Sequence, residues 1–374
     1  MKPIIVTLLS TAGLVSANAP STPSLWVTTT PQSPVPYALK KGNGIRLGDN
    51  LFPITGNSSG GAFCIMNTND AGIPLGSVPG LLFPHVHRKT FENFYATKGR
   101  VQLWGQNLET YRKNTSTQQT RTLSQGDFGG IPPGTIHTFM LLEPDTELTG
   151  VLVPGGFEEF FFHMSDSNAN NNQTLPGAGG FDTSSLAKWD VFPQMDFVPR
   201  RDVVNGREAN GTGHWYDGPN PLPSNESAPI WIAKNYGPKY LVTDGGRYHV
   251  VAPLVTGQQT NNTFSQGTIT LSQQTAGMAP PTVNYTMATA FLLQEGELEV
   301  TVAGYAPIRL IDGDAVFVPA NVSFSYHATA EFTKFMYVTG GDDLDTGLIA
   351  KGTPWKSAFY PQQSPASSNK LLWI

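Results

Sequence analysis

The sequence predicts an all-β protein built from two similar domains, and three observations support this. Its 374 residues exceed one small domain and include 39 glycines and 30 prolines, so turns should be frequent and long helices few. Apolar and polar residues alternate in segments such as 147–153, a period typical of strands. Finally, the two halves repeat each other. FENFYATKGRVQLW (91–104) aligns with ATAFLLQEGELEVT (288–301), and GDFGGIPPGTIHTF (126–139) aligns with GDAVFVPANVSFSY (313–326).

The N-terminus has the composition of a secretory signal peptide. Lys2 precedes an apolar stretch at 4–15, and small residues follow it. We therefore predict that residues 1–19 form a signal peptide with cleavage near Ala17. The mature protein should be secreted and extracellular.

The repeat and a change in composition define the remaining boundaries. Residues 166–227 are rich in Asn, Gly, Pro and Ser and show no sustained periodicity, which is typical of a linker. The prediction is an N-terminal metal-binding domain at 20–165, this linker, and a C-terminal domain without a metal at 228–374.

Asn-x-Ser/Thr sequences support the extracellular assignment, because they accept N-linked glycans in secreted proteins. The only cysteine, Cys64, lies in an apolar run, so we expect a small buried hydrophobe and no intramolecular disulfide. The eight glycosylation candidates are Asn57, Asn114, Asn172, Asn210, Asn225, Asn261, Asn284 and Asn321.

Charge and hydropathy exclude two classes of partner. The net charge is −5 and no basic block occurs, which argues against nucleic acid. Beyond the N-terminus no apolar run reaches the roughly 18 residues of a membrane span, so no membrane association is expected. A homodimer is compatible with the sequence, although candidate glycans on both halves would limit the surface that it could bury.

Four residues of the first half have the pattern of a transition-metal site. His85 and His87 are two apart, so on a strand they project from the same face. Glu92 begins the next alternating segment and His137 lies on a later one. Three imidazoles and a carboxylate suit a divalent transition metal. The other histidines are interpreted as surface or core residues: His163, His214, His249 and His327.

The second half serves as an internal control. The repeat alignment carries the four ligand positions to Thr282, Asn284, Thr289 and Phe324. These side chains are not a set of transition-metal ligands. One metal site per chain is therefore predicted, and the second domain is expected to support the first.

Strand periodicity also predicts residues that share a face with the ligands. If these faces point inward, they form an apolar, aromatic pocket for a flat organic substrate; the alternative is ordinary barrel core. The predicted pocket residues are Met66, Thr68, Phe94, Phe139, Leu148, Gly150, Leu152 and Phe157.

The ligand spacing resembles the two motifs of the cupin family. These are His-x-His-x4-Glu-x6-Gly, which ends at Gly99, and Gly-x5-Pro-x-Gly-x2-His, which runs from Gly126 to His137. The resemblance implies a bicupin, with two jelly-roll β-barrel domains joined by a long linker and a metal inside the first barrel.

Longer segments resemble the fungal quercetin 2,3-dioxygenases. They are HVHRKTFENFYATKGRVQLW, HTFMLLEPDTELTGVLVPGGFEEFF, GPKYL and QEGELEV. This resemblance implies Cu(II) as the metal, although Fe, Mn, Ni or Co would also suit the ligands. Two positions depart from the family pattern: Asn50 stands where a pocket tyrosine is expected, and Leu148 where a methionine is expected.

The implied reaction is cleavage of the heterocyclic ring of a flavonol such as quercetin by O2, which releases carbon monoxide and a depside. Glu92 would be its catalytic general base. Two alternatives remain open, namely another secreted cupin oxidase or oxygenase and a non-catalytic metal-binding bicupin. Oxalate-processing bicupins use an arginine for their substrate, but the segment SVPGLLFPHVH that leads into the ligands contains none.

Overall fold

The computed structural model describes most of the chain. No helix of the described residues is long and apolar enough to cross a membrane. The predicted signal peptide and the candidates Asn114, Asn172 and Asn210 lie outside the described residues. The structure describes residues 22–70, 83–113, 117–163, 183–209, 214–244 and 247–361.

Strands dominate the structure, which confirms the all-β prediction. The helices with assigned bounds are short: Gly56–Ser59, Leu108–Arg112, Gly257–Thr260, Asp343–Ile349 and the 3-10 helix Thr183–Trp189. In chain order the strands are β1 (Trp26–Val27), β2 (Tyr37–Leu39), β3 (Ile45–Leu47), β4 (Asn50–Ile54), β5 (Cys64–Asp70), β6 (His85–Val86), β7 (Phe91–Lys98), β8 (Val101–Asn107), β9 (Gln119–Leu123), β10 (Phe128–Ile131), β11 (Thr135–Leu141), β12 (Thr146–Val153), β13 (Phe192–Pro193), β14 (Val203–Val204), β15 (Arg207–Glu208), β16 (Ile230–Ile232), β17 (Tyr240–Asp244), β18 (Arg247–Val255), β19 (Ser265–Ser272), β20 (Thr282–Asn284), β21 (Thr289–Glu295), β22 (Leu298–Val302), β23 (Ile308–Leu310), β24 (Ala315–Val318), β25 (Ser323–Ala328), β26 (Phe332–Thr339) and β27 (Thr353–Pro354).

The strands form two jelly-roll barrels, each of two sheets. In the first barrel the strand orders are β16-β10-β7-β12-β5-β4-β3 and β13-β6-β11-β8-β9-β15-β14. In the second they are β1-β2-β24-β21-β26-β19-β18-β17-β27 and β20-β25-β22-β23. Neighbouring strands are antiparallel, except that β1 runs parallel to β2. This is the predicted bicupin architecture.

The barrels exchange strands, and this corrects the predicted domain boundaries. β2 belongs to the second barrel, where Tyr37 pairs with Phe317 of β24. Conversely, β16 belongs to the first barrel, where Ile232 pairs with Phe128 of β10. Each exchanged strand covers a sheet edge that would otherwise expose unpaired backbone groups.

The predicted linker, residues 166–227, is also corrected. Its described part adds β13, β14 and β15 to the first barrel. β13 pairs with β6, so that Pro193 lies opposite His85, and β15 pairs with β9. These strands are only two residues long and therefore have no detectable periodicity. The described part of the segment is a structural part of the metal-binding barrel.

The glycines that were aligned in the two halves occupy equivalent turns. Gly99 and Gly296 have φ of +68° and +79°, a region that favours glycine. A Cβ would lie 2.6 Å from Thr146 Oγ1 at the first position and 2.2 Å from the Phe332 carbonyl oxygen at the second. Both turns therefore require glycine, which supports the internal repeat.

An apolar core joins the two barrels. Phe317 of the second barrel contacts Phe63 of the first, with ring centroids 6.3 Å apart, and Tyr37, at 5.5 Å. Phe91 and Phe264 make a second contact across the seam at 5.1 Å. All of these side chains are buried in one continuous cluster, so the barrels should unfold together.

Replacing Phe317 by Ala should lower the free energy of unfolding by about 3–5 kcal/mol, because it leaves a cavity in this shared core. The same change at Phe359, which is 73% exposed, is the matched control and should have little effect. Thermal unfolding of both variants, followed with signals from each barrel, measures this loss of stability. Equal melting temperatures for the two variants would contradict the shared core.

Candidate metal centre

The four predicted ligands converge inside the first barrel. β6 and β11 are neighbours, and His85 lies directly opposite His137. His87 follows β6 by one residue, and Glu92 lies on β7 of the other sheet. The barrel therefore brings ligands from two sheets to one interior point.

The ligand atoms are close together and buried. One nitrogen or oxygen from each of the four residues lies within 4.8 Å of the others. Glu92 Oε2 is 2.9 Å from His137 Nε2 and 3.2 Å from His87 Nε2. The rings of His85 and His137 are 4.3 Å apart. The predicted metal-binding group is thus present in the structure.

Backbone carbonyl groups orient the three imidazoles. Nδ1 of His85 lies 3.0 Å from the carbonyl oxygen of Phe83, and Nδ1 of His137 lies 3.1 Å from that of Thr135. Nδ1 of His87 lies 2.7 Å from the Asp190 carbonyl oxygen. Because a carbonyl oxygen only accepts, each Nδ1 donates its proton to the carbonyl and each ring turns Nε2 toward the centre.

This arrangement fits a divalent cation. A divalent cation between the three Nε2 atoms and the carboxylate would take the place of the protons that the hydrogen bonds of His87 and His137 with Glu92 require. Burial lowers the pKa of His85, and the neighbouring His137 and His87 lower it further. Burial alone would raise the pKa of Glu92, but hydrogen bonds with His137 and His87 outweigh it and hold that pKa well below its usual range. Glu92 is therefore ionised.

Aromatic residues from the predicted pocket surround the centre. The ring of Phe157 lies 4.9 Å from that of His87, and Phe94 lies 6.1 Å from His137 and 5.3 Å from Phe139. Phe157 is not on a strand, since it follows β12 in a turn. These rings form apolar walls beside the ligands.

The other predicted pocket residues continue the inward face of β7, β12 and β5. Leu152 is opposite Glu92, and Gly150 lies between Phe94 and Met66. Leu148 pairs with Thr68 in the next row. Six of the eight predicted pocket residues are buried, whereas Thr68 and Phe139 are only half-buried.

The two positions that depart from the family pattern lie at the same end of this face. The hydroxyl of Thr68 donates a hydrogen bond of 2.7 Å to Asn50 Oδ1, and Leu148 is opposite Thr68. Cys64, which lies opposite Leu152, is fully buried and unpaired. The prediction that it is a buried hydrophobe is confirmed.

Among the described residues, the equivalent interior of the second barrel contains no such group. Thr282 and Asn284 are exposed, and Phe324 packs against Phe291 at 6.0 Å. Aromatic side chains fill this barrel instead. Within the described ranges, His85, His87, Glu92 and His137 form the one cluster of at least three metal-ligating side chains.

Asp190 contacts the segment that carries His87, a contact that the sequence did not reveal. Its carboxylate accepts hydrogen bonds from the backbone N–H groups of Arg88 (3.0 Å), Lys89 (2.8 Å) and Thr90 (2.9 Å), while its carbonyl orients His87. Its φ of 61° is a left-handed conformation that aspartate tolerates better than most residues. Asp190 lies in the predicted linker, where no periodicity or motif marks it.

Replacing Asp190 by Asn should lower metal affinity or activity about 10–100-fold, the usual effect of losing support for a ligand. The variant keeps the carbonyl contact with His87 but removes the charge that holds the three backbone N–H groups. Asp202→Asn, at an exposed linker residue paired with Arg200, is the control. Metal titration against a chelator measures the effect, and equal affinities for the two variants would contradict this role.

The fold and the centre together define a bicupin with one metal-binding barrel. The quercetin 2,3-dioxygenase of Aspergillus japonicus is 39% identical to this chain over 323 residues, which cover 83% of this chain and 89% of that enzyme. The chain therefore belongs to the quercetin 2,3-dioxygenase family.

Further comparisons cover less of the chain or are more distant. The Bacillus subtilis quercetin 2,3-dioxygenase is 33% identical over 144 residues, 37% of this chain and 38% of that enzyme. Among solved structures, the Lactobacillus farciminis oxalate decarboxylase has 14% identity and a TM-score of 0.46, covering 79% of this chain and 83% of that one. A variant of the B. subtilis oxalate decarboxylase has 16% identity and a TM-score of 0.47, covering 79% and 74%. No family model matches the chain.

Proposed function

We propose that this protein is a secreted, copper-dependent dioxygenase that cleaves the heterocyclic ring of flavonols such as quercetin. The observation that carries the proposal is the buried His85, His87, Glu92 and His137 group beside aromatic walls. The 39% identity to a quercetin 2,3-dioxygenase over most of the chain supports the substrate class.

The three imidazoles and Glu92 would hold the metal. This donor set suits Cu(II), and equally Fe, Mn, Ni or Co, because affinity order alone does not decide occupancy. When bound, a Cu(II) ion would act as a Lewis acid and one-electron acceptor toward the deprotonated substrate. We assign copper because the matched segments around the ligands resemble the fungal copper enzymes.

Glu92 is the base in this proposal. Its carboxylate is ionised and buried at the centre, so it can take the proton of the flavonol 3-hydroxyl at Oε2. O2 then forms bonds to C2 and C4 of the substrate, and the O–O, C2–C3 and C3–C4 bonds break. The proton held by Glu92 passes to the new carboxyl group. C3 leaves as carbon monoxide with its original oxygen, and both atoms of O2 remain in the depside ester.

The aromatic residues would orient the substrate. Phe157, Phe94 and Phe139 offer ring faces and edges near the imidazoles, which suits a flat polyphenol. Leu148 and the Asn50–Thr68 hydrogen bond lie further along the same inward face. These are the positions at which we expect the substrate preference of this chain to differ from that of its relatives.

Secretion and glycosylation are part of the proposal. The glycosylation candidates within the described residues are all exposed, as a glycan requires: Asn57, Asn225, Asn261, Asn284 and Asn321. A mass shift after enzymatic deglycosylation of protein from the natural host's medium would support this. An unmodified mass would oppose it.

A panel of flavonols, other enols and simple phenols tests the substrate class. Carbon monoxide should form with flavonols that carry a free 3-hydroxyl and not with the other compounds. Oxidation of another phenol without carbon monoxide would favour a different oxidase or oxygenase. Metal-loaded protein that transforms none of the panel would favour a non-catalytic bicupin.

A further inference from the structure

A small cavity lies at the seam between the two barrels, away from the metal centre. Its walls come from both barrels and from the chain that follows β16. The lining includes Tyr95 and Gly126 from the first barrel, Thr268 and Lys334 from the second, and Lys234 and Lys239 from the connecting segment. Its volume is about 20 Å³, which is room for one water-sized atom or ion.

Three lysines with different environments meet at this cavity. Lys334 on β26 is only 6% exposed and Lys239 only 7%, whereas Lys234 is exposed at the mouth. Lys239 Nζ donates a hydrogen bond of 2.7 Å to the carbonyl oxygen of Ser357. No ion pair or hydrogen bond joins the ammonium group of Lys334 or Lys234 to any described residue.

Nearby carboxylates offset the charge of the lysines only in part, since Glu295 raises the pKa of Lys334 by less than burial lowers it. Glu295 is opposite Lys334 on β21, but it is exposed and forms no ion pair with it. Asp127 already accepts hydrogen bonds from the backbone N–H groups of Lys234 and Ser124, at 2.8 Å each, and from the hydroxyl of Tyr216. The cavity therefore carries excess positive charge.

An ammonium group without an ion-pair partner on a side chain that is only 6% exposed is unfavourable, since most of its water shell is lost. Burial lowers the pKa of Lys334 to about 8, and the charges of Lys234 and Lys239 contribute to this shift. A bound anion would stabilise all three ammonium groups at once. The hydroxyl of Tyr95, which hydrogen-bonds Gln294 at 3.2 Å, adds a polar group to the same wall.

We propose that this cavity binds a small inorganic anion, with Lys334 and Lys239 as the buried cations and Lys234 at its mouth. One atom of the anion, such as chloride itself or one oxygen of phosphate or sulfate, fits beside Lys334. The anion links the segment after β16 to both barrels and so stabilises the strand exchange. Its role is structural and independent of the oxygenase reaction.

Thermal unfolding of the metal-loaded protein tests this proposal. Sodium phosphate, sulfate and chloride are titrated separately at constant ionic strength, with wild type and Lys334→Met compared. Methionine keeps most of the side-chain volume without the charge. In wild type at least one anion should raise the Tm in a saturable way, by roughly 5 °C at one hundred times its Kd. The saturable part should be lost in Lys334→Met.

Two further variants separate specific binding from general salt effects. Phosphate and sulfate also stabilise proteins by exclusion from the surface, and that non-saturable part should be equal in all variants. Lys113→Met, at an exposed lysine elsewhere on the first barrel, should behave as wild type. Lys234→Met should weaken anion binding at least several-fold, while the contact between the two barrels stays folded. A saturable response that persists in Lys334→Met, or its absence from wild type with all three anions, would overturn the proposal.

Discussion

Replacing Glu92 by Gln is expected to lower kcat for quercetin by about 10²–10⁴-fold, the range for removal of a general base. Gln keeps the size of the side chain and an oxygen that can face the metal, but it cannot accept the substrate proton. The three imidazoles remain, each oriented by its own carbonyl. Most of the metal should therefore stay bound while turnover is lost.

Metal content and kcat must be measured on the same preparation. Glu109→Gln, an exposed residue at the start of a surface helix, is the matched control and should match wild type in both. Near wild-type turnover by metal-loaded Glu92→Gln would show that another group removes the proton. Loss of metal with loss of turnover would instead make Glu92 primarily a ligand.

Replacing His137 by Ala should remove the metal and lower kcat/KM by at least about 10³-fold, because metal catalysis contributes several kcal/mol. His137 is completely buried. Its Nε2 is 2.9 Å from Glu92, and its position opposite His85 joins the two ligand strands. No described neighbour can replace it within the ligand cluster.

His327→Ala is the matched control for this experiment. His327 lies on β25 in the second barrel and takes no part in the ligand cluster, so the variant should keep one metal per chain and full activity. Elemental analysis of both variants measures the difference. Stoichiometric metal in His137→Ala would place the metal elsewhere and contradict the assigned centre.

Residues on long strands could be predicted from the sequence because their periodicity determines which face they occupy. Glu92, Phe94 and His137 belong to strands of seven or eight residues, and their inward faces follow from alternation. The internal repeat also made it possible to predict that the second barrel lacks the metal ligands, since Phe324 occupies the position equivalent to His137. Sequence patterns could not distinguish residues that line the substrate pocket from residues of the barrel core, because both sets are apolar.

The strand exchange and the role of Asp190 could not be predicted. β1, β2, β13 and β16 contain only two or three residues, too few for a period, and their partners are distant in the chain. Asp190 acts through hydrogen bonds to the backbone of Arg88, Lys89 and Thr90. Any residue except proline can donate a hydrogen bond through its backbone N–H group. The side chains of Arg88, Lys89 and Thr90 therefore give no sign in the sequence of their contact with Asp190.

Turnover of quercetin under ¹⁸O₂ tests the central claim most directly, namely that the buried metal group of the first barrel cleaves a flavonol ring with dioxygen. The purified, metal-loaded protein should release one carbon monoxide per quercetin consumed. Mass spectrometry should find both labelled oxygen atoms in the depside and none in the carbon monoxide. Consumption of quercetin without carbon monoxide, or a product without the label, would contradict it.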